Sequence, residues 1–318
     1  MSSHPSLDLE VEEVDTKLLS QLPKVRFWDI GYHIYQWERC WFAPLSLKGA
    51  MKFRSNFEAR DDDIILASTM KTGTTWLKAL SHSVMHRNIN DPLDDILTTE
   101  NPHFLAPTIE AEFHYNKALP VNLYDLLMSP RLFHTHMPYM LFPESVKNSA
   151  SKIVYVCRNP KDTLISMWHF YNVSHHTYPL QKAIDCFCAG VIPYGSYFDH
   201  VEGYWLESVI RPDKILFVKY EEMKSDSKGQ VKRIAEFMGR PFDEDQKEIL
   251  DDVLWRCSLE RLKNLEVNKT GTLFATMPNQ AFFRKGQTGD WKNYLTPLME
   301  EQIDRLSQMK LEPLGLFL

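Results

Sequence analysis

Four short apolar runs punctuate the chain, from Ile64 to Ser68, Arg131 to Thr135, Ile153 to Arg158 and Ile215 to Tyr220. Runs of this length, three of them continuous and β-branched or aromatic, predict buried strands. After the first run Leu77, Leu80 and Val84 recur at spacings of three and four, which predicts one apolar helical face. Helical patterns return from Val231 to Met238 and from Leu298 to Met309, and a long stretch from about Glu266 to Thr296 reads as irregular. Strand, loop and helix in alternation predict an α/β fold, with a central parallel β-sheet flanked by helices.

The start of the chain has a different texture. Residues 1–20, with Glu10, Glu12 and Glu13, read as a flexible acidic arm. The next segment carries Trp28, Tyr32, Tyr35, Trp37, Trp41 and Phe42, too much aromatic surface to stay in water, and is expected to pack on the domain. No repeat or linker divides the rest, so 21–318 is read as a single domain. The arm has neither a basic leader nor an apolar core, and no apolar run approaches the roughly 18 residues of a membrane span. A cytoplasmic protein without membrane contact is the expectation.

Composition narrows the chemistry. A formal net charge of -6 disfavours nucleic acid as a partner, so any anion site must be local. The five cysteines lack metal-ligand spacing and read as reduced thiols.

Four motifs carry candidate chemistry. Lys71-Thr72-Gly73-Thr74-Thr75-Trp76 lies between the first strand and the amphipathic helix. There, unpaired backbone N–H groups and the helix dipole favour an anion. Its Lys precedes a single Gly, unlike the triphosphate-binding loop, and no strand ends in an obvious acid for magnesium, so a phosphate-like group handled without a metal is expected. Arg158-Asn159-Pro160-Lys161-Asp162 ends another strand, with Asn159 as N-cap, Pro160 at the first helical position and Ser166 two turns on. Arg158 suits bidentate contact to a second phosphate. Arg284-Lys285-Gly286 and Gly289-Asp290-Trp291-Lys292 place cations beside glycines in the long irregular stretch. His134-Thr135-His136-Met137-Pro138 closes the second strand; a metal pair is conceivable there, but a general base at the carboxyl end of a parallel strand suits a single His better.

Together and in this order the four motifs resemble the cytosolic sulfotransferases, from about residue 55 to the C-terminus. Thr98 to His103 and Leu265 to Lys269 look most like the plant branch. The resemblance implies a P-loop-like phosphosulfate-binding loop and the donor 3′-phosphoadenosine 5′-phosphosulfate (PAPS), with no metal required. Its 5′ end would lie on Lys71, Thr72, Gly73, Thr74 and Thr75, and its 3′-phosphate on Arg158, Ser166, Arg284, Lys285 and Gly286. Trp76 and Tyr220 would face the adenine, with Cys257 and Leu259 where relatives carry Thr and Phe. His136 would be the catalytic base and Lys71 would stabilise the leaving phosphate.

Phe170, Trp168, His169 and Phe104 are the candidates for the acceptor pocket. Plant relatives sulfate flavonols, brassinosteroids, hydroxyjasmonate and desulfoglucosinolates, and no motif chooses among them. The segment 266–283 is expected to close as a lid. Lys292, Thr296 and Glu301 match the family's dimerisation pattern, with Pro297 in place of Val, and a monomer or weak homodimer is expected. A magnesium-dependent nucleotide phosphotransferase is the alternative enzyme, and a non-catalytic nucleotide-binding protein the alternative outside enzymes.

Overall fold

The computed structural model describes residues 16–28, 32–87, 95–115, 129–173, 178–273 and 277–318. Its centre is a parallel sheet of four strands, β4 (Ile64–Ser68), β5 (Leu132–Thr135), β6 (Lys152–Cys157) and β7 (Ile215–Lys219), in the order β5-β4-β6-β7. All three pairings are parallel, with Ile65 level with Phe133 and Ile153, and Val156 level with Val218.

The four expected strands are present, each within a residue of its expected ends. Tyr220 leaves its strand to begin the helix Tyr220–Ser225, and Arg158 lies one residue past β6. Alternate residues feed two cores: Ile65, Ala67, Tyr155 and Phe217 on one face, Leu66, Val154, Val156 and Val218 on the other. Burial on both faces is why these strands read as unbroken apolar runs.

The helices Thr74–Met85 and Ser227–Phe237 cover the second face, and Leu77, Leu80 and Val84 are buried there as their spacing predicts. The helix Pro297–Lys310 matches the last periodic segment. Chain order and spatial order differ at β4 and β6: from β4 the chain moves outward to β5, and from β6 it moves the opposite way to β7. A crevice opens beyond the carboxyl ends of such a pair of strands.

The N-terminal aromatic segment does pack on the domain, but as a three-stranded antiparallel sheet, β1 (Lys24–Arg26), β2 (His33–Trp37) and β3 (Cys40–Phe42). Trp28 and Phe42 are buried in the first core. Residues 1–15 of the expected arm lie outside the described residues, and from Thr16 the chain is helical to Gln21, with Leu19 buried. The stretch from Glu266 to Thr296 is not uniformly irregular. It contains a helical turn at Glu266–Lys269, the strand pair β8 (Thr272–Leu273) and β9 (Met277–Pro278), and two 3-10 turns. These elements are too short for hydrophobic periodicity to announce. Residues 274–276 of the expected lid lie outside the described residues.

Candidate active site

From β4 the chain turns through Thr69 to Gly73 into the helix Thr74–Met85. Gly73 has φ +114°, and a Cβ there would lie 2.8 Å from the Tyr220 ring, so the turn needs glycine. The first helical N–H groups have no partners within the helix. Thr72 departs from expectation. Its side chain is buried between β4 and β6, with Oγ1 2.9 Å from the Thr69 carbonyl and 3.1 Å from that of Val156. The hydroxyl pins the turn to the sheet and is not a lining group of the cleft.

Asn159 and Pro160 begin the helix Pro160–Asn172 as predicted, the Asn159 side chain accepting from the Lys161 and Asp162 N–H groups. Arg158 donates to the Gln287 carbonyl at 2.7 Å and lies 4.7 Å from the Tyr220 ring centre. Its Nε is buried with no partner among the described residues. A buried donor left open is costly, and an anion in the cleft would satisfy it.

The sequence motifs contained a further device that their separate readings missed. Asp162 accepts from the Gly289 N–H at 2.7 Å and the Trp291 N–H at 3.1 Å. It thereby holds the C-terminal loop across the helix that follows β6. Asp290 in turn accepts from Arg284 at 2.7 Å and Lys285 at 2.8 Å. Burial opposes its charge, but these cations and Asn293 hold its carboxyl down to about 2. Gly286 has φ +59°, and a Cβ would come within 2.4 Å of Leu259. A side chain at that position would have to displace Leu259 for the loop to close against the cleft.

At the end of β5 the two expected histidines face different surroundings. His134 is fully buried, between Ser68 at 3.1 Å and Thr108 at 3.2 Å. His136 lines the cleft. Its Nδ1 is 2.9 Å from the Ser68 carbonyl, its backbone N–H donates to Glu110 at 2.7 Å, and its carbonyl accepts from His200 at 3.0 Å. Since a carbonyl only accepts, Nδ1 carries the proton and the Nε2 lone pair is left available. Burial draws the His136 pKa down to about 3, the bond to Ser68 opposing, so the ring is neutral near pH 7.

These elements converge on one cleft of about 890 Å³ beyond the ends of β4 and β6. Lys71, Gly73, Thr74 and Thr75 line it from the β4 loop, and Arg158, Ser166, Arg284, Lys285 and Gly286 from the other side. Trp76 and Tyr220 meet edge to face, with centroids 5.7 Å apart, and Cys257 and Leu259 join them at the same end. Lys71 Nζ sits 3.9 Å from the Phe170 ring centre. Burial, followed by the charges of Arg158 and Arg284, lowers its pKa to about 7.

The expected acceptor residues divide. Phe170 and His169 line the cleft. Trp168 and Phe104 do not: Trp168 points to the Tyr178 carbonyl at 2.7 Å, and Phe104 is 57% exposed. The helix turns adjacent residues about 100° apart, so Trp168 and Phe170 cannot share one direction. His103 and Phe282 line the cleft unexpectedly, their rings tilted at 50° with centroids 4.4 Å apart, and His103 Nε2 lies 3.0 Å from the Thr75 hydroxyl. A sequence signal for His103 existed in Asn101-Pro102-His103, because Asn101 caps that turn by accepting from the His103 N–H.

The dimerisation-like residues are engaged within the chain. Thr296 caps the helix Pro297–Lys310, and Glu301 pairs with Arg305 at 2.6 Å.

Comparison with known proteins shows the family of the chain. A family profile described as "Sulfotransferase domain" matches residues 61–315. "Cytosolic sulfotransferase 6" of Arabidopsis thaliana is 42% identical over 316 residues, covering 96% of this chain and 95% of the relative. A solved structure of an Arabidopsis thaliana putative steroid sulphotransferase superposes with TM-score 0.75 at 34% identity, covering 100% of this chain and 99% of that one. A mouse sulfotransferase complexed with PAP has TM-score 0.68 at 27% identity, covering 87% and 94%.

Proposed function

The chain belongs to the sulfotransferase family, and on that premise we propose that it moves a sulfuryl group from PAPS to the hydroxyl of a small acceptor, with His136 as base. The observation that carries this reading is the tautomer of His136. Its Nδ1–H is committed to the Ser68 carbonyl, so Nε2 accepts in the same cleft that Lys71 and the phosphate-like loop line.

The residues present fit a bisphosphorylated nucleotide: three cations converge, a buried Arg158 nitrogen has no partner among the described residues, and a helix N-terminus opens onto the same space. Arg158, Ser166, Arg284, Lys285 and the Gly286 backbone would hold the 3′-phosphate. Thr74, Thr75 and Lys71 would hold the 5′ end, and Trp76 and Tyr220 would flank the base. The donor supplies the activated sulfuryl group. His136 takes the acceptor's proton at Nε2, and Lys71 donates to the phosphate oxygen on which charge develops.

The acceptor end, with Met70, Phe170 and Phe282 beside His103, supports an apolar hydroxylated metabolite of flavonoid, steroid, hydroxyjasmonate or desulfoglucosinolate type. Relatives named cytosolic, and no helix among the described residues able to cross a membrane, support a cytoplasmic enzyme. We take it as a monomer or weak homodimer.

Thermal melting tests the donor. Adenosine 3′,5′-bisphosphate at about 100 times its Kd stabilises the protein by roughly 2.7 kcal/mol, without magnesium. A shift only with ATP and magnesium would instead restore the phosphotransferase alternative.

A further inference from the structure

Lys78 is wholly buried on the helix Thr74–Met85, one turn from the candidate phosphate-binding residues, and nothing in the reaction above uses it. Its Nζ donates to Thr108 Oγ1 at 3.1 Å. From there an unbroken chain of side-chain hydrogen bonds returns to the cleft. Thr108 Oγ1 is 3.2 Å from His134 Nδ1, His134 Nε2 is 3.1 Å from Ser68 Oγ, and Ser68 Oγ is 2.7 Å from Thr74 Oγ1. Thr74 lines the cleft.

Where each group passes its one proton to the next, such a chain has two senses, and the group at its closed end favours one. An ammonium has three donors and no acceptor. Receiving from Lys78, the Thr108 hydroxyl donates to His134 Nδ1. His134, kept neutral by burial and by the neighbouring positive charge of Lys78, carries its one proton on Nε2 and donates to Ser68. The Ser68 hydroxyl then donates to Thr74, whose own proton is left for the cleft. The opposite sense needs either an uncharged Lys78 as acceptor or a Thr108 proton turned out of the chain, and it turns a lone pair of Thr74 toward an incoming anion. Burial pulls the Lys78 pKa to about 7 against the opposing charges of Glu110 and Glu112, and an anion beside Thr74 favours the sense in which Lys78 is charged.

We propose that Lys78 is a positioning residue, which acts through Thr108, His134 and Ser68 to aim the Thr74 hydroxyl proton at the donor's anionic group. The proposal rests on the cleft taking an anionic nucleotide and goes beyond it by assigning the buried polar chain a direction.

The direct test is the tautomer of His134. Long-range 1H–15N spectra of the histidine-labelled enzyme saturated with adenosine 3′,5′-bisphosphate, with His134→Gln for assignment, should give the Nε2–H form; the Nδ1–H form overturns the relay. Calorimetry provides a second reading that packing alone would not produce. Thr74→Val should weaken bisphosphate binding roughly tenfold, as loss of a hydrogen bond to a charged group does. Lys78→Met should weaken it in the same direction, and the double variant should bind no more weakly than Thr74→Val alone. Losses that multiply, or a Lys78→Met affinity within about twofold of wild type, count against the relay. If the wild type does not bind the bisphosphate at all, the donor reading itself fails and the relay's purpose with it.

Discussion

The Nδ1 of His136 lies 2.9 Å from the carbonyl oxygen of Ser68, the last residue of β4. The strand that leads into the candidate phosphate-binding turn therefore also fixes which nitrogen of the candidate base faces the cleft. The turn and His136 are held in common by two adjacent parallel strands, β4 and β5, so neither can shift without the other.

That coupling predicts separable losses. His136→Ala should reduce turnover by about 10²- to 10⁴-fold, the usual worth of a general base, while bisphosphate affinity measured by calorimetry stays near wild type. Near-normal turnover would remove His136 from the mechanism. Because its pKa is drawn down to about 3, kcat/KM of the wild type should show no His136 limb between pH 5 and pH 8. An imidazole in water would produce one near 6.5.

Lys71 gives a proton-linkage prediction. With a pKa lowered to about 7 from 10.5 in the ligand-free protein, the native state binds fewer protons than the unfolded chain between those values. Stability therefore rises with pH across that window as far as this group is concerned. An anionic nucleotide beside Lys71 restores its proton. Binding at pH 8 should take up protons, up to about one at Lys71 beside any taken up by Lys78, read from calorimetry in buffers of different ionisation enthalpy. Lys71→Met should lower the uptake by the Lys71 share and raise the melting temperature of the ligand-free enzyme at pH 7.

Asp162 is the clamp on the C-terminal loop. Asp162→Ala frees the N–H groups of Gly289 and Trp291 and leaves Arg284 and Lys285 to be ordered by the ligand. Bisphosphate affinity should fall by about tenfold or more, and the loop amides should lose hydrogen-exchange protection. Unchanged protection at 289–291 would show that the clamp is dispensable.

Away from the cleft, Arg131 and Asp63 form a buried two-point pair, with both N···O distances 2.6 Å, at the opposite end of the sheet. Removing one partner leaves a charge stranded. Asp63→Ala should cost about 3–5 kcal/mol in urea unfolding, with bisphosphate affinity of the folded fraction retained.

Much of this molecule is written locally. Strands buried on both faces must be apolar throughout, so β4, β6 and β7 appear as continuous runs; Asn159-Pro160 caps and starts a helix through contacts spanning three residues; and the single glycine of the β4 turn marks one of its two positive-φ positions, Lys71 being the other. Lys71, Arg158 and His136 could be singled out as candidates for the same reason, since each stands just past a strand end.

What tertiary structure alone decided is where side chains of known identity point. Thr72 turns back to the carbonyls of Thr69 in its own turn and of Val156 on β6, Phe104 faces solvent, and Trp168 faces away from the cleft that Phe170 lines. Asp162 meets amides 127 and 129 residues away, and Lys78 reaches Thr74 only through β4, β5 and the residue before the helix Ile109–Tyr115. Such contacts depend on the sheet order β5-β4-β6-β7. Period and propensity describe each segment by itself and carry no information about its neighbour in space, so only the packed sheet could assign these partners.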